Sequence, residues 1–185
     1  MTKRIAQEKG IICMDLTAED GGSVDLEEIS YRRDVRTSDR DGVCEIVRST
    51  GFFTPSEVDI AVELVDENLA RGQRSGYSFL FAERAGRVLG YACFGPIPGT
   101  MSSYDLYWIA AHRLYHRKGI GSLILRRSEV LMAEEGCRRV YVDTSSRLQY
   151  APTRLFYESC GYCRVAFLTD FYAPGDDKII YCKTF

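Results

Sequence analysis

Tyr104-Asp105-Leu106-Tyr107-Trp108-Ile109-Ala110-Ala111, followed after His112 to Tyr115 by His116-Arg117-Lys118-Gly119-Ile120-Gly121-Ser122, is the stretch that orders the rest of the chain. Its first part is aromatic and apolar, as a buried strand requires. After the glycines, Ile120, Leu123, Ile124, Leu131 and Met132 recur at helical spacing until Gly136, a residue suited to a helix C-terminus. The order is strand, glycine turn, helix. Glycines let a backbone turn tightly and approach a ligand with no Cβ in the way, and the start of a helix presents unpaired N–H groups and the positive end of its dipole. With Arg117 and Lys118 adding charge at the same place, the segment has the make-up of an anion cradle.

Two phosphate motifs fail here. A dinucleotide fingerprint needs a third glycine where Ile124 stands, and no G-x-x-x-x-G-K-[S/T] run occurs. A tight turn before an ordinary helix has the same glycine spacing, so a second motif is needed to decide. It lies at Thr153-Arg154-Leu155-Phe156-Tyr157-Glu158-Ser159-Cys160-Gly161-Tyr162, a helical run closed by Gly161 with Tyr162 opening the next strand.

The two blocks together resemble the GNAT acetyltransferases. His116 to Gly121 is similar to that family's [Q/R]-x-x-G-x-[G/A] pyrophosphate loop, with His116 at the first position. Tyr157 to Tyr162 is similar to its Y-E-x-x-G-[F/Y] block, with Tyr150 where many relatives carry asparagine. The resemblance implies an α+β GNAT fold, in which a mixed, mostly antiparallel sheet of six to seven strands is flanked by about four helices and splays near the fourth and fifth strands. It also implies acetyl-CoA as cosubstrate. The pantetheine arm would run along Ile109, Ala110 and Ala111, and the pyrophosphate would lie on His116, Arg117, Lys118, Gly119, Ile120, Gly121 and Ser122. The expected reaction is acetyl transfer to a primary amine of a small molecule or a peptide or protein. The alternative is a module that holds acyl-CoA without turnover.

The chemistry asks for particular groups. An amine must lose a proton before it attacks a thioester, and the departing thiolate must regain one. Tyr157 occupies the position of the family's general-acid tyrosine, and a phenol of pKa about 10 can protonate a thiolate of pKa about 8.5 at small cost. For the base, Asp143 is expected at the end of the fifth strand, where relatives that acetylate ribosomal-protein N-termini carry a glutamate. Asp105 begins the fourth strand and by simple alternation shares a face with Tyr107, Ile109 and Ala111. Either carboxylate, or water, fits. Asp143-Thr144-Ser145 also reads as a strand-end turn. His112 and His116 titrate near neutrality but sit beside the phosphate loop, where phosphate contact or a surface role is expected. Acceptor recognition is expected between the first two helices and in Phe171-Tyr172-Ala173-Pro174-Gly175-Asp176-Asp177, read as a link between the last strands whose acids would suit a cation or simply be solvated.

A chain of 185 residues with 45% hydrophobic content suffices for one core, and a net charge of −2 argues against nucleic acid as partner. Seven cysteines, an odd and scattered set, fit reduced thiols and a cytoplasmic location. Cys160-Gly161-Tyr162-Cys163 invites a redox reading, but it straddles a helix C-terminus, where the dipole does not acidify a thiol, and no second C-x-x-C completes a metal site. Neither a signal peptide nor a membrane span is expected. Residues 1–28, with Glu19-Asp20-Gly21-Gly22-Ser23 as a link, read as an extension that docks on a neighbour or stays loose. A second copy of the chain is an admissible partner. Residues 29–185 read as one domain. Strands are expected at 31–36, 77–83, 88–94, 138–143, 162–169 and 178–183, besides the one at 104–111. Helices are expected at 39–49 and 55–71, the second capped by Thr54 with Glu57 three residues on. The order is βααβββαβαββ.

Overall fold

Ala85 and Gly86 both take positive φ, 48° and 78°, and this tight turn folds β2 (Ser78–Arg84) back antiparallel on β3 (Arg87–Pro96). β3 pairs in turn with β4 (Ser103–Ala111). The computed structural model describes residues 28–185. The expected extension, Glu28 excepted, lies outside the described residues.

The remaining elements are β1 (Ser30–Arg32), α1 (Asp39–Ser49), α2 (Pro55–Arg71), α3 (Ile120–Glu134), β5 (Arg139–Ser145), α4 (Ala151–Ser159), β6 (Cys163–Ala173) and β7 (Asp176–Thr184). The expected order holds. Seven strands form one mixed sheet in the order β1-β2-β3-β4-β5-β7-β6, with β4 and β5 its parallel pair. Two apolar layers cover it. Val43, Ile46 and Val47 of α1 and Val58, Ala61 and Leu64 of α2 pack on Phe79, Phe81, Tyr91 and Trp108. On the other face Ile120, Ile124 and Met132 of α3 and Phe156 and Tyr157 of α4 meet Leu106, Ile109, Val140 and Tyr181.

Both anticipated helix starts form, by different devices. Thr54 and Glu57 make a reciprocal capping box, with Pro55 at the first turn of α2. At α1 no side chain caps the helix from Ser38. Instead the buried Asp39 carboxylate accepts from the Arg36 amide at 2.7 Å and from the Arg32 guanidinium at 2.9 and 2.8 Å. This diverts the chain, so β1 ends at Arg32 and not at residue 36 as the alternation implied.

Arg32 is also bonded to Glu83 Oε1 at 2.6 Å, and its guanidinium lies 4.4 Å over the Phe81 ring. Its side chain is 8% exposed and that of Asp39 2%. Removing one member of a buried pair strands the other charge. Arg32→Met should therefore cost about 3–5 kcal/mol in urea unfolding. Arg32→Met with Asp39→Asn should recover part of that loss; if the single variant unfolds like wild type, the pair contributes no net stability.

Candidate active site

β4 and β5 pair only over residues 103–105 and 139–141 and then diverge. Beyond Asp105 the β4 backbone groups that point toward β5 have no strand partner, and buried backbone groups need one. The gap is thus suited to a ligand with amide groups of its own. At Tyr107 a β-bulge shifts the β3–β4 register. It corrects the alternation expected for β4: Leu106, Ile109 and Ala111 face α3, whereas Tyr107, Trp108 and Ala110 face α1 and α2. Asp105 shares the face of Tyr107 and not that of Ile109 and Ala111, because the extra residue turns the pleat over.

The end of β4 leads to the glycine turn. Arg117 takes φ 60° and Gly119, the residue preceding α3, takes φ 81°. No side chain caps this helix and its first turn holds no acidic residue, in contrast to the acids in the first turns of α1 and α2. The amides of Ile120, Gly121 and Ser122 therefore stand where the backbone dipoles converge, an arrangement with the chemistry to hold an anion. His116 is buried, not on the surface, and its Nε2 lies 2.8 Å from the Ala111 carbonyl oxygen, tying the turn to the strand end. His112 Nδ1 accepts from the Leu114 amide at 3.3 Å, and burial lowers its pKa. The Lys118 ammonium lies 6.0 Å over the Tyr115 ring.

Tyr157 stands on the α3 and α4 side of the gap. It is fully buried, with its ring centroid 5.4 Å from that of Tyr162 and 5.9 Å from that of Tyr181, and its hydroxyl has no hydrogen-bond partner among the described residues. Burial, reinforced by Tyr162 and Asp143, holds its pKa well above the ordinary phenol value, so it keeps its proton.

The carboxylates lie on the other side. Asp143 does not end β5, which continues through Thr144 and Ser145 because these pair with Ile179 and Lys178 of β7. That register makes Lys178 a diagonal neighbour of Asp143, and the buried Lys178 ammonium closes an ion pair with Asp143 Oδ2. Burial raises the Asp143 pKa and Lys178 opposes the rise. The Asp105 carboxylate makes no hydrogen bond or ion pair among the described residues, although its backbone is part of the sheet. Burial first, then the charge of Asp143, pushes its carboxyl up to about 7, against the pull of Lys178. Of the two aspartates, Asp105 is the one whose carboxylate has no direct partner among the described residues.

The expected link at residues 171–177 is mostly strand: Phe171, Tyr172 and Ala173 belong to β6, Asp176 and Asp177 to β7, and Pro174-Gly175 is the whole tip. Its acids are bound, not merely solvated. Asp176 takes the Ser145 hydroxyl and lies 3.0 Å from Arg147 Nε, and Asp177 Oδ2 accepts from Ser146 Oγ at 3.1 Å. Tyr172 has a buried hydroxyl unpartnered among the described residues, and burial first, then the charges of Asp143 and Asp176, raises its pKa. Between α1 and α2, the Phe53 ring lies tilted against Trp108 with centroids 5.0 Å apart, and the Phe52 centroid lies 6.3 Å from that of Tyr150. Tyr172 and Phe53 fall in the two regions where acceptor recognition is expected from sequence, whereas Lys178 and Trp108 carry no such signal. Each enters through register or a loop contact.

Among the described residues no cluster of three or more metal-ligating side chains occurs, and no helix is long and apolar enough to cross a membrane. A comparison with the curated proteins gives no match. Among solved structures, a GNAT-family protein from Desulfovibrio desulfuricans is 45% identical, covers 84% of this chain and 98% of its own, and superposes with a TM-score of 0.83. The ribosomal-protein-S18-alanine N-acetyltransferase of Escherichia coli covers 84% of this chain and 93% of its own, at 18% identity and a TM-score of 0.66. An aminoglycoside 6'-N-acetyltransferase complexed with coenzyme A covers 84% and 96%, at 19% identity and a TM-score of 0.68. These last two share the fold. The profile of the Acetyltransferase (GNAT) family matches residues 43–162. With the splayed strands, the glycine turn and the Tyr157 helix all inside that match, the chain belongs to the GNAT acetyltransferase family.

Proposed function

We propose that the protein is an N-acetyltransferase that uses acetyl-CoA to acetylate a primary amine of a small molecule or a peptide or protein. The observation that carries this reading is the uncapped start of α3 at the mouth of the β4–β5 gap. There the amides of Ile120, Gly121 and Ser122, beside Arg117 and Lys118, would hold the pyrophosphate, and the free edge of β4 at Ile109, Ala110 and Ala111 would hold the pantetheine arm. The neighbour that carries coenzyme A supports the choice of cosubstrate.

Acetyl-CoA supplies the thioester carbonyl that the amine attacks. Asp105 is the base. Its carboxyl at about 7 matches neutral operation, and it has no partner to break, whereas Asp143 is engaged by Lys178 and acts by its charge on Asp105. Tyr157, protonated and otherwise unsatisfied, donates toward the departing sulfur. Burial costs the thiolate as it costs the phenolate, so proton transfer between them stays near balance.

Tyr157→Phe should lower kcat by about 10²–10⁴-fold with little change in coenzyme A affinity, because the proton is needed only as the thiolate leaves. Steady-state rates with a good amine acceptor and calorimetry with coenzyme A check it. A wild-type kcat would make Tyr157 a packing residue only. A non-catalytic acyl-CoA-binding module would instead bind acetyl-CoA and release no thiol with any amine.

A further inference from the structure

β6 and β7 are antiparallel neighbours, and their register sets Cys163 directly opposite Cys182, with Arg164 opposite Tyr181 next to them. Directly opposed residues in such a ladder have Cα atoms about 4.5–5.5 Å apart and side chains on one face. That lies inside the window of about 4.4–6.8 Å over which a disulfide joins two Cα atoms without backbone movement. Both are free thiols, Cys163 exposed on the edge strand and Cys182 half-buried. Tyr141 of β5 stands opposite Cys182 on its other side, so the pair lies on the sheet face away from the core residue Tyr181.

The sequence motif Cys160-Gly161-Tyr162-Cys163 points to a different partner. In the fold Cys160 follows α4 as its C-cap residue and packs against the α3 and α4 core, where the charges of Glu129, Lys183 and Arg126 act on its thiol. Tyr162, between the two cysteines, is a core side chain. Cys160 therefore faces one side of the sheet and Cys163 the other.

We propose that Cys163 and Cys182 are a redox-active pair that a small disulfide, such as oxidised glutathione, converts into a cross-strand disulfide. The exposed Cys163 thiolate attacks one sulfur of the oxidant, forming a mixed disulfide and releasing one glutathione thiol. Cys182, having lost its proton, then attacks the Cys163 sulfur, and a second glutathione thiol leaves. Two protein thiols are oxidised and one glutathione disulfide is reduced to two thiols. The pair lies apart from the cleft residues and does not depend on the acetyl-transfer reading.

The test is incubation of the full chain with excess oxidised glutathione, followed by alkylation of the remaining thiols, intact mass and peptide mapping. Wild type should lose two of its seven alkylatable thiols, give one linked peptide pair holding Cys163 and Cys182, and recover both thiols with dithiothreitol. Cys182→Ser should stop at a glutathione adduct on Cys163, and Cys160→Ser should close the bridge as wild type does. Retention of all seven thiols, a lasting glutathione adduct on wild-type Cys163, or a bridge between any other two cysteines would overturn the proposal.

Discussion

Asp105→Asn should lower kcat/KM at pH 7 by about 10²–10⁴-fold, the range a positioned general base contributes, with little effect on coenzyme A affinity. The shape of the pH profile carries more than the size of the loss. In wild type the acid limb of kcat/KM should fall near pH 7, where the Asp105 carboxyl titrates. In the variant that limb should disappear, and the rate should climb only as the pH nears the amine's own pKa. Asp143→Asn should give a smaller loss and move the wild-type limb to lower pH, because the Asp143 charge helps to hold Asp105 up and Lys178, left unpaired, pulls it down. If Asp105→Asn keeps the wild-type profile, Asp105 is not the base.

The same shift has a stability consequence of definite sign. Burial and the Asp143 charge hold the folded-state Asp105 carboxyl at about 7, above the ordinary aspartate value of 3.8. The folded protein therefore binds a proton that the unfolded chain releases, and this group's contribution to stability falls as the pH rises from about 4 to 7. Asp105→Asn removes that cost, so the variant should melt at a higher temperature than wild type at pH 8 and gain nothing at pH 4.

The second large effect is expected at the glycine turn. Gly119 takes φ 81°, a region in which a β-branched side chain is strained, and Gly121 lies buried in the first turn of α3. Valine at both positions would tilt the turn and set apolar branches over the amides that the account assigns to phosphate. Losing two charge-assisted hydrogen bonds of about 1.5 kcal/mol each weakens binding by about 100-fold. Calorimetry should show that loss or more while the circular dichroism spectrum stays close to wild type. Unchanged affinity in the folded double variant would remove the phosphate from this turn.

Much of the fold was legible because its signals are local. The capping box at Thr54 and Glu57, the turn at Ala85-Gly86 and the glycine that follows α4 each declare themselves within a few residues. The glycine turn ahead of α3 is legible for the same reason. What separates Asp105 from Asp143 is not legible, since it depends on which carboxylate meets Lys178, a fact of the β5–β7 register and not of either neighbourhood. The face of Asp105 was misread along β4 because one bulged residue at Tyr107 reverses the alternation beyond it. β1 was read too long because its end is set by a buried arginine reaching Asp39 and Glu83, contacts that no periodicity encodes.

Acetyl transfer within the β4–β5 gap leaves a stoichiometric signature. The protein is incubated with acetyl-CoA and separate amines, among them peptide N-termini, polyamines and aminoglycosides, and both free coenzyme A thiol and acetylated amine are counted by mass spectrometry. At least one amine class should give one thiol per acetyl group transferred, a yield abolished by valine at Gly119 and Gly121. Acetyl-CoA that binds but is never consumed with any acceptor, or consumption that survives the loss of the glycine turn, would contradict transfer within the gap.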